Sequence, residues 1–274
     1  MKDWHFRIPT AIGGLLALVV LWGEFGHTMG LPSWKAESSG SAGPRQHEFR
    51  WQRVLDAGKT IEIKGINGSV TAEKASGNRV EIIAVKVGKR SDPREVKIEV
   101  VESAEGVTVC AVYPGSSPCG SGSRGRTNIR NNDVQVRFNV RVPEGVRLVA
   151  TTVNGSVKAS ALESDLVART VNGSITLSTT GRAEASTVNG TIIAEIGATN
   201  LSADLVFSTV NGSISIEVPE GLNADIGAST VGGRLSSDFP LMIDRRRMHG
   251  TLGSGGYELK LSTVNGTIRL KRAR

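Results

Sequence analysis

Residues 152–196, TVNGSVKASALESDLVARTVNGSITLSTTGRAEASTVNGTIIAEI, contain three copies of one pentapeptide, and this repetition decides the fold. Complete copies follow at 209–213 and 263–267, and degenerate copies stand at 65–69 and 230–234. The asparagines of the first four complete copies are 18, 17 and 22 residues apart. Periods near 20 residues are typical of solenoids and other repeat arrays. We therefore expect one repeating unit to build most of this chain.

The segments between the copies alternate apolar and polar residues, as in Ile214–Val218, which is typical of half-buried strands. At about 3.3 Å per residue, some 20 residues hold two or three short strands with their corners. The 33 glycines and the aromatic content of 4% fit a thin core of small and branched side chains. The sequence predicts an all-β fold, a single-stranded β-solenoid.

The Asn-Gly pair of each copy has two interpretations. Between strands it is a strong hairpin signal, because both residues accept the positive φ of a type I′ turn. Alternation can also run through the motif, with Val153, Gly155 and Val157 on the inner face, which favours a bend between strands of one repeat. In the last copy the apolar phase changes between Leu261 and Ile268, which indicates a corner or a bulge there.

Stacked copies would align their Thr, Asn and Ser side chains in hydrogen-bonded ladders. We interpret the pairs as corner and ladder formers; the alternative is that the polar face binds a ligand directly. The predicted turn residues are Asn67, Gly68, Asn154, Gly155, Asn172, Gly173, Asn189, Gly190, Asn211, Gly212, Gly232, Gly233, Asn265 and Gly266.

Three segments are expected along the chain. In residues 1–30, Lys2 and Arg7 precede the uncharged stretch Ile8–Gly23, which predicts a hydrophobic helix acting as a signal peptide or signal anchor. The stretch is shorter than the usual 20 or so residues of a spanning helix, but no small-x-small cleavage site follows, so we favour an uncleaved anchor with the rest exported. Residues 31–47 then form a flexible linker, and 48–274 form the β domain.

Cys110 and Cys119 are predicted to form a local disulfide, as suits an exported protein. On the chain-entropy model, closing this loop would stabilise the fold by roughly 2 to 3 kcal/mol. A structural zinc site is the weaker interpretation, because the four histidines are scattered and zinc prefers four ligands. We predict no metal, no cofactor and no catalytic residue.

The formal net charge is +7, with basic runs at Arg245–Arg247 and Arg269–Arg274. These runs either meet the phosphates of lipids or polyanionic glycans, or are a solvated loop and a frayed tail. Nucleic acid is not an expected partner, because no binding motif accompanies the charge. The last copy ends near the C-terminus, so its open strand edge predicts self-association unless the terminal basic residues protect it.

Two intervals depart from the regular spacing. The interval from Gly233 to Asn265 is too long for one repeat and predicts an inserted loop. The interval from Asn67 to Asn154 contains longer, non-repeating strands that are expected to cap one end of the same sheets.

The N-terminal segment, the stretch Ile61–Val70, the sequence CAVYP at 110–114 and the serial TVNGS copies resemble the DUF4097 adhesin-like domain family. The resemblance covers roughly Phe49 to Leu270 and extends to the toastrack domains of bacterial envelope-stress proteins. It implies a right-handed β-helix in the bacterial cell envelope, outside the cytoplasmic membrane. It supplies no established catalytic residue and no ligand.

Three functions remain open. The leading hypothesis is a non-enzymatic, membrane-anchored adhesin or scaffold that contacts a cell-envelope protein or glycan, and the second is an envelope-stress sensor. The third is a polysaccharide-processing enzyme, but no two copies are expected to place carboxylates at the same position, and no histidine lies in the regular repeats. Its acidic candidates are Asp165, Glu184, Glu195, Asp204, Glu217 and Asp225.

Overall fold

The computed structural model describes residues 45–120 and 131–273, which form an all-β domain of two mixed sheets. The all-β prediction is confirmed. Within these ranges the one helical element is a 3₁₀ turn at Pro93–Glu95. The predicted N-terminal helix and residues 31–44 of the predicted linker lie outside the described residues.

Ten strands form sheet A and eleven form sheet B. The spatial order in sheet A is β1 (Arg45–Val54), β4 (Arg79–Gly88), β7 (Gln135–Val142), β3 (Val70–Lys74), β9 (Val157–Leu162), β11 (Ile175–Thr179), β13 (Ile192–Ile196), β15 (Ile214–Val218), β21 (Ile268–Arg272) and β17 (Leu235–Ser237). The order in sheet B is β18 (Met242–Asp244), β19 (Arg247–Leu252), β16 (Ala224–Gly232), β20 (Glu258–Asn265), β14 (Leu205–Asn211), β12 (Ala183–Asn189), β10 (Leu166–Arg169), β8 (Arg147–Thr151), β2 (Thr60–Lys64), β6 (Gly106–Val112) and β5 (Lys97–Ser103).

Each motif connects a strand of sheet B to a strand of sheet A. Equivalent residues of neighbouring repeats pair in parallel, as Thr187 does with Thr209 in sheet B and Ile192 with Ile214 in sheet A. The two strands that flank one motif therefore lie in different sheets and do not pair with each other. This arrangement excludes the hairpin interpretation and leaves the bend.

The core lies between the inward faces of the two sheets. Burial alternates along the strands, so that Ile192, Ala194 and Ile196 of β13 are buried while the residues between them are exposed. Small and branched side chains fill most of this space, and the largest buried rings include those of Phe138 and Phe207. Full burial of each branched side chain contributes about 1.5 to 3 kcal/mol, which makes this interior the main source of stability.

The order of the strands in space differs from their order in the sequence. β20 lies between β14 and β16, and β21 lies between β15 and β17, so the C-terminal copy is an internal repeat. The expectation of an open edge and a frayed tail at the C-terminus is therefore wrong. In this order Asn265 continues the asparagine row of the other copies, and the degenerate copy, which has Gly232 in that place, follows it.

Non-repeating segments close both ends of the stack. At one end, β4 pairs in antiparallel fashion with β7, and β5 with β6, as expected for the interval from Asn67 to Asn154. β1, which precedes that interval, pairs with β4 as well. At the other end, the interval predicted to be an inserted loop forms β17, β18 and β19. Its side chains Phe239, Met248 and Leu252 are buried over the last repeat. β1 begins at Arg45, so residues 45–47, which were expected in the linker, belong to the sheet.

Candidate functional site

The pentapeptide copies meet at one edge of the domain, where every repeat passes from sheet B to sheet A. Among the residues of the motifs, a positive φ occurs at Gly68 alone. The type I′ conformation that the Asn-Gly pair suggested is therefore absent from the described copies. The motif must be explained by contacts between repeats.

The threonine that opens each motif faces the core. Thr187 is buried and its hydroxyl donates a hydrogen bond of 3.0 Å to the carbonyl oxygen of Gly173 in the neighbouring repeat. The same bond recurs along the stack at 2.9 to 3.1 Å: Thr152 to Gly68, Thr170 to Gly155, Thr209 to Gly190, Thr263 to Gly212 and Thr230 to Gly266. A buried hydroxyl without a partner is costly, and this bond removes that cost.

The valine of the motif faces solvent, which corrects the prediction that it faces the core. Exposed fractions are 39% at Val171, Val188 and Val210, 40% at Val264 and 56% at Val231, whereas Val153 is half-buried. In the strand before the motif every second side chain faces inward, and the threonine is the last of these. After the glycine the alternation starts again at a shifted position, so it does not run through the motif. The phase change seen in the last copy is a corner, and it occurs in the other copies as well.

The asparagines form a continuous row of amide hydrogen bonds. Each Nδ2 donates to the Oδ1 of the preceding asparagine at 2.9 to 3.0 Å, in the order Asn265, Asn211, Asn189, Asn172, Asn154 and Asn67. The row ends at Asn265, because Gly232 stands opposite it in the next repeat. The final residue of the motif adds a weaker contact, since the Ser174 hydroxyl accepts the backbone N–H of Thr191 at 3.3 Å.

The glycine is required by close packing of backbones. A Cβ atom on Gly190 would lie 2.0 Å from the carbonyl oxygen of Gly173, and one on Gly212 would lie 1.9 Å from that of Gly190. At Gly233, where the motif is degenerate, the corresponding distance to the Gly266 oxygen is 1.8 Å. Glycine therefore recurs because no other residue fits between stacked corners.

We call the exposed part of this surface the Val–Asn edge. At a strand spacing of about 4.8 Å, each of its two rows covers five steps and extends for roughly 24 Å. It consists of Val153, Val171, Val188, Val210, Val264 and Val231 beside Asn67, Asn154, Asn172, Asn189, Asn211 and Asn265, of which Val153 and Asn67 are half-buried and the others exposed.

Cys110 and Cys119 are joined by a disulfide with a Cα–Cα distance of 5.6 Å. The bond ties the loop after β6 to the sheet, and the backbone N–H of Cys119 also donates to the Glu99 carboxylate at 2.9 Å. The pair therefore holds a loop in place and leaves no free thiol in the described residues.

Most of the acidic candidates have structural partners. Glu184 accepts from Arg169 at 2.6 Å, Asp225 accepts from the Thr251 hydroxyl at 2.8 Å, and Asp165 accepts from the backbone N–H of Arg182 at 3.0 Å. Asp204 accepts the backbone N–H of Glu258, and this bond lowers the pKa of its carboxyl.

Glu195 and Glu217 correct the argument that no two copies share a carboxylate position. They pair in register on neighbouring strands, and Lys271 follows Glu217 in the next strand. The three side chains line a shallow groove of about 290 Å³ on the outer face of sheet A. Aligning the segments from Ile192 and from Ile214 would have revealed this pair in the sequence.

A second concavity, of about 580 Å³, lies beside the N-terminal end of the stack and is lined in part by Lys74 and Glu144. The Lys74 ammonium forms an ion pair with Glu163, which raises its pKa. Its charge is thus already neutralised within the domain.

Two buried polar residues were missed by sequence reasoning. Lys86 lies on the buried face of β4, where its Nζ donates to the carbonyl oxygen of Val96 at 2.8 Å, and burial lowers its pKa. Tyr113 donates to the carbonyl oxygen of Val134 at 2.8 Å, and burial raises its pKa to about 12. Both bond to backbone in the non-repeating end of the domain, so we interpret them as structural.

In residues 45–120 and 131–273, no three His, Cys, Asp or Glu side chains converge as metal ligands. Nor does this part of the chain contain a helix long and apolar enough to cross a bilayer. The predicted anchor, Ile8–Gly23, lies outside it.

No family model and no curated protein matches the chain. Among solved structures, it is similar to a putative cell adhesion protein from Clostridium sporogenes ATCC 15579, with 13% identity over 84% of this chain and 100% of the other and a TM-score of 0.49. It is also similar to a putative adhesin from Bacteroides fragilis NCTC 9343, with 12% identity over 82% and 97% of the two chains and a TM-score of 0.33. A putative adhesin from Parabacteroides merdae ATCC 43184 gives 10% identity over 83% and 96% and a TM-score of 0.23. At these identities and scores, function has to be argued from the chain's own surfaces.

Proposed function

We propose that this protein is a non-enzymatic, membrane-anchored module of the bacterial cell envelope, related to the DUF4097 adhesin-like domains. In this proposal the repeats form a right-handed β-solenoid, the segment Ile8–Gly23 is the anchor, and the domain stands outside the cytoplasmic membrane. Its role is to bind a cell-envelope protein or glycan through the Val–Asn edge. The observation that carries the proposal is the row of exposed valines beside the row of asparagines.

The chemistry of the edge suits a long and regular partner. Each interior asparagine uses one N–H and one lone pair of its oxygen within the row, so one donor and acceptor capacity remain for a partner. The valine methyl groups beside them supply apolar contact. Because both rows repeat with the strand spacing, an extended polymer meets the same donor, acceptor and methyl group at each step.

The stability of the fold explains the threonine and the glycine of the motif but not the valine. An exposed position next to a corner gains little from an apolar side chain, yet valine occupies it in all five complete copies, in four of which it is exposed. Single exposed apolar residues are ordinary, whereas a continuous line of them is typical of an interaction surface. This difference supports a binding role for the edge.

The binding test uses two variants with matched chemistry. In Val188→Lys/Val210→Lys, charges interrupt the centre of the edge. The control is Val54→Lys/Ile193→Lys, which adds the same two charges at positions that are 47% and 50% exposed on strands of sheet A and outside the edge. Sedimentation of each full-length protein with purified cell-wall and outer-surface fractions should show binding by the wild type and the control and at least a tenfold loss in the edge variant.

Absence of binding to every fraction would contradict the adhesin proposal. Equal loss in the edge variant and the control would contradict the assignment of the edge. The enzyme alternative is tested on the same material with Glu195→Gln and Glu217→Gln, because the two residues pair in register on strands about 4.8 Å apart, and a retaining glycosidase holds its two carboxyl groups about 5 Å apart. Release of sugar by the wild type that either substitution abolishes would replace the proposal by a hydrolase.

The anchor is tested by fractionation of the native host and mass spectrometry of the N-terminus. An intact N-terminus in the membrane fraction is the expected result. A mature N-terminus near Gly30 in a soluble fraction would instead indicate a released protein with a cleaved signal peptide.

A further inference from the structure

The end of the stack formed by residues 234–249 presents exposed apolar and basic side chains together. β18 and β19 form an antiparallel hairpin with Arg245 and Arg246 at its turn, and we call this the terminal hairpin. Its edge strand carries Met242, which is 66% exposed, and Ile243, which is 45% exposed. The backbone of the turn is fixed to the last repeat, because the Arg246 carbonyl oxygen accepts the N–H of Thr230 at 3.0 Å. The hairpin is thus held in place, with Met248 buried and two apolar side chains exposed on its edge strand. Met242 pairs with exposed His249 and Ile243 with buried Met248, so the two side chains flank the open edge from opposite faces and are presented together only edge-on.

Covering the core does not require these side chains. Phe239, Met248 and Leu252 already close the end of the interior, and Leu241 packs against them in part. A cap needs a polar outer face for solubility, so exposed Met and Ile on its outermost strand run against that requirement.

The segment around the two side chains is net basic. Arg234, Arg245, Arg246 and Arg247 are all exposed, and none forms an ion pair with a described residue. Asp238 and Asp244 are the acidic residues of the same segment, so its formal charge is +2. Basic residues alone can serve to protect a sheet edge from pairing. Protection does not explain why an apolar pair lies on that same edge.

Apolar side chains flanked by arginines are suited to one kind of surface. The methyl groups of Met242 and Ile243 can enter the boundary between headgroups and acyl chains, while the guanidinium groups bind phosphates at the level of the headgroups. A polyanionic glycan would use the arginines but not the apolar pair, and a second copy would bring like charges together. We infer that the terminal hairpin docks on an anionic phospholipid bilayer.

The terminal hairpin lies at the opposite end of the stack from the strand that follows the N-terminal segment, and the binding experiment is designed for this separation. β1, through which the chain enters the domain, is the edge strand at the opposite end of sheet A, nine strand steps or about 43 Å away from β17. The full chain is therefore reconstituted in phosphatidylcholine vesicles, so that its hydrophobic N-terminal segment is already embedded. Capture of dye-loaded acceptor vesicles, made with or without phosphatidylglycerol, is then measured by flotation. Where the chain does not reconstitute, direct flotation of the free chain with the same acceptors replaces this assay.

Three full-length variants are compared with the wild type, after their melting temperatures have been shown to be unchanged. The first is Arg245→Gln/Arg246→Gln/Arg247→Gln, and the second is Met242→Ser/Ile243→Ser. The matched control removes the same charge from exposed positions of the distant strands, in Arg79→Gln/Arg137→Gln/Lys158→Gln.

The wild type and the control should capture phosphatidylglycerol acceptors and ignore pure phosphatidylcholine. Each arginine near an anionic surface contributes about fivefold to binding, so the triple hairpin variant should bind on the order of 100-fold more weakly. The serine variant should also lose capture, and salt should weaken capture by the wild type.

Several results would overturn the inference. No capture by the wild type, or equal capture by all proteins, excludes docking. Capture that depends on the arginines but not on Met242 and Ile243, with equal binding to dextran sulfate, would indicate a polyanion site. Larger particles in light scattering without capture would indicate a second copy as the occupant. None of these results bears on the Val–Asn edge, which is tested separately.

Discussion

The hydroxyl of Thr263 donates a hydrogen bond of 2.9 Å to the carbonyl oxygen of Gly212, although 51 residues separate the two in the chain. Thr230 makes the same bond on the other side, to Gly266. These two contacts place the C-terminal copy inside the stack. They also show one contact that holds neighbouring repeats together: a buried threonine hydroxyl donates to the glycine carbonyl oxygen at the corner of the adjacent repeat.

Loss of one such hydroxyl should destabilise the domain. Thr187→Val keeps the shape of the side chain but leaves the Gly173 carbonyl oxygen without this donor, which should cost about 1 to 3 kcal/mol. Thr176→Val is the control, because Thr176 is exposed on β11. Urea unfolding of both proteins measures the difference, and equal midpoints would contradict the role of the bond.

A side chain at the glycine of the motif should be far more damaging. In Gly190→Ala the new Cβ atom would lie 2.0 Å from the carbonyl oxygen of Gly173, so the stacked corners must separate. The expected cost is about 3 kcal/mol or more. Gly77→Ala, where the added atom meets nothing within 4 Å, should change the free energy of unfolding by less than about 0.5 kcal/mol. Similar melting temperatures for the two variants would refute this explanation of the motif.

The asparagine row should be weaker at its end than at its centre. Asn189→Ala removes two amide bonds and Asn265→Ala removes one. At roughly 0.5 to 1.5 kcal/mol for each bond, the central substitution should cost about twice as much. Chemical denaturation of the two variants tests this ratio, and a larger effect at Asn265 would count against a continuous row.

The C-terminal strands should be protected from hydrogen exchange. Because β20 and β21 each have paired strands on both sides, their amides should exchange about as slowly as those of β12 and β13. A terminal repeat with an open edge would exchange much faster. Peptide-level exchange over 258–272 and 183–196 makes the comparison, and rapid exchange of the first region would refute the stacking order.

Acid should weaken the hydrogen bonds that Asp133 accepts in the non-repeating end of the domain. The Asp133 carboxylate accepts the backbone N–H groups of Ser91 at 2.8 Å and Arg90 at 3.0 Å, and these bonds lower its pKa from 3.8 to about 2. Below pH 3.8 this carboxyl group is protonated in the unfolded chain while it remains ionised in the folded protein, so the stability that the ionised form contributes decreases. It is lost as pH falls through about 2, where the folded protein also takes up the proton. Asp133→Asn should be less stable at neutral pH, by a margin that shrinks between these values. A margin independent of pH would show that the charge is irrelevant.

Part of this structure could be predicted from local sequence patterns. The spacing of the asparagines and the alternation in segments such as Ile214–Val218 indicate short strands in a repeated unit, because strand geometry has a period of two and a repeat must place equivalent residues together. The pairing of Glu195 with Glu217 was also open to prediction by alignment of the copies.

Which side chains of the corner face the core could be predicted only in part. Leu205 and Phe207 continue in step onto Thr209, which was a signal that the threonine faces inward. A valine in the next position outweighed it, because hydrophobicity alone favours burial of Val over Thr. What buries Thr209 is its bond to the Gly190 carbonyl oxygen in another repeat, and a single repeat contains no trace of that partner.

The sequence by itself determined the class of fold and the length of the repeat, since these follow from strand geometry and periodicity. It showed that glycine recurs at the corner, but the reason, close contact with the backbone of the neighbouring repeat, came only from the tertiary structure. Tertiary structure alone decided that the last copy stands between two earlier ones and that residues 238–252 cap the end. Parallel strands pair through space without regard to their order in the chain, so the position of Asn265 was settled by its bond to Asn211 and by the match of the strands around it.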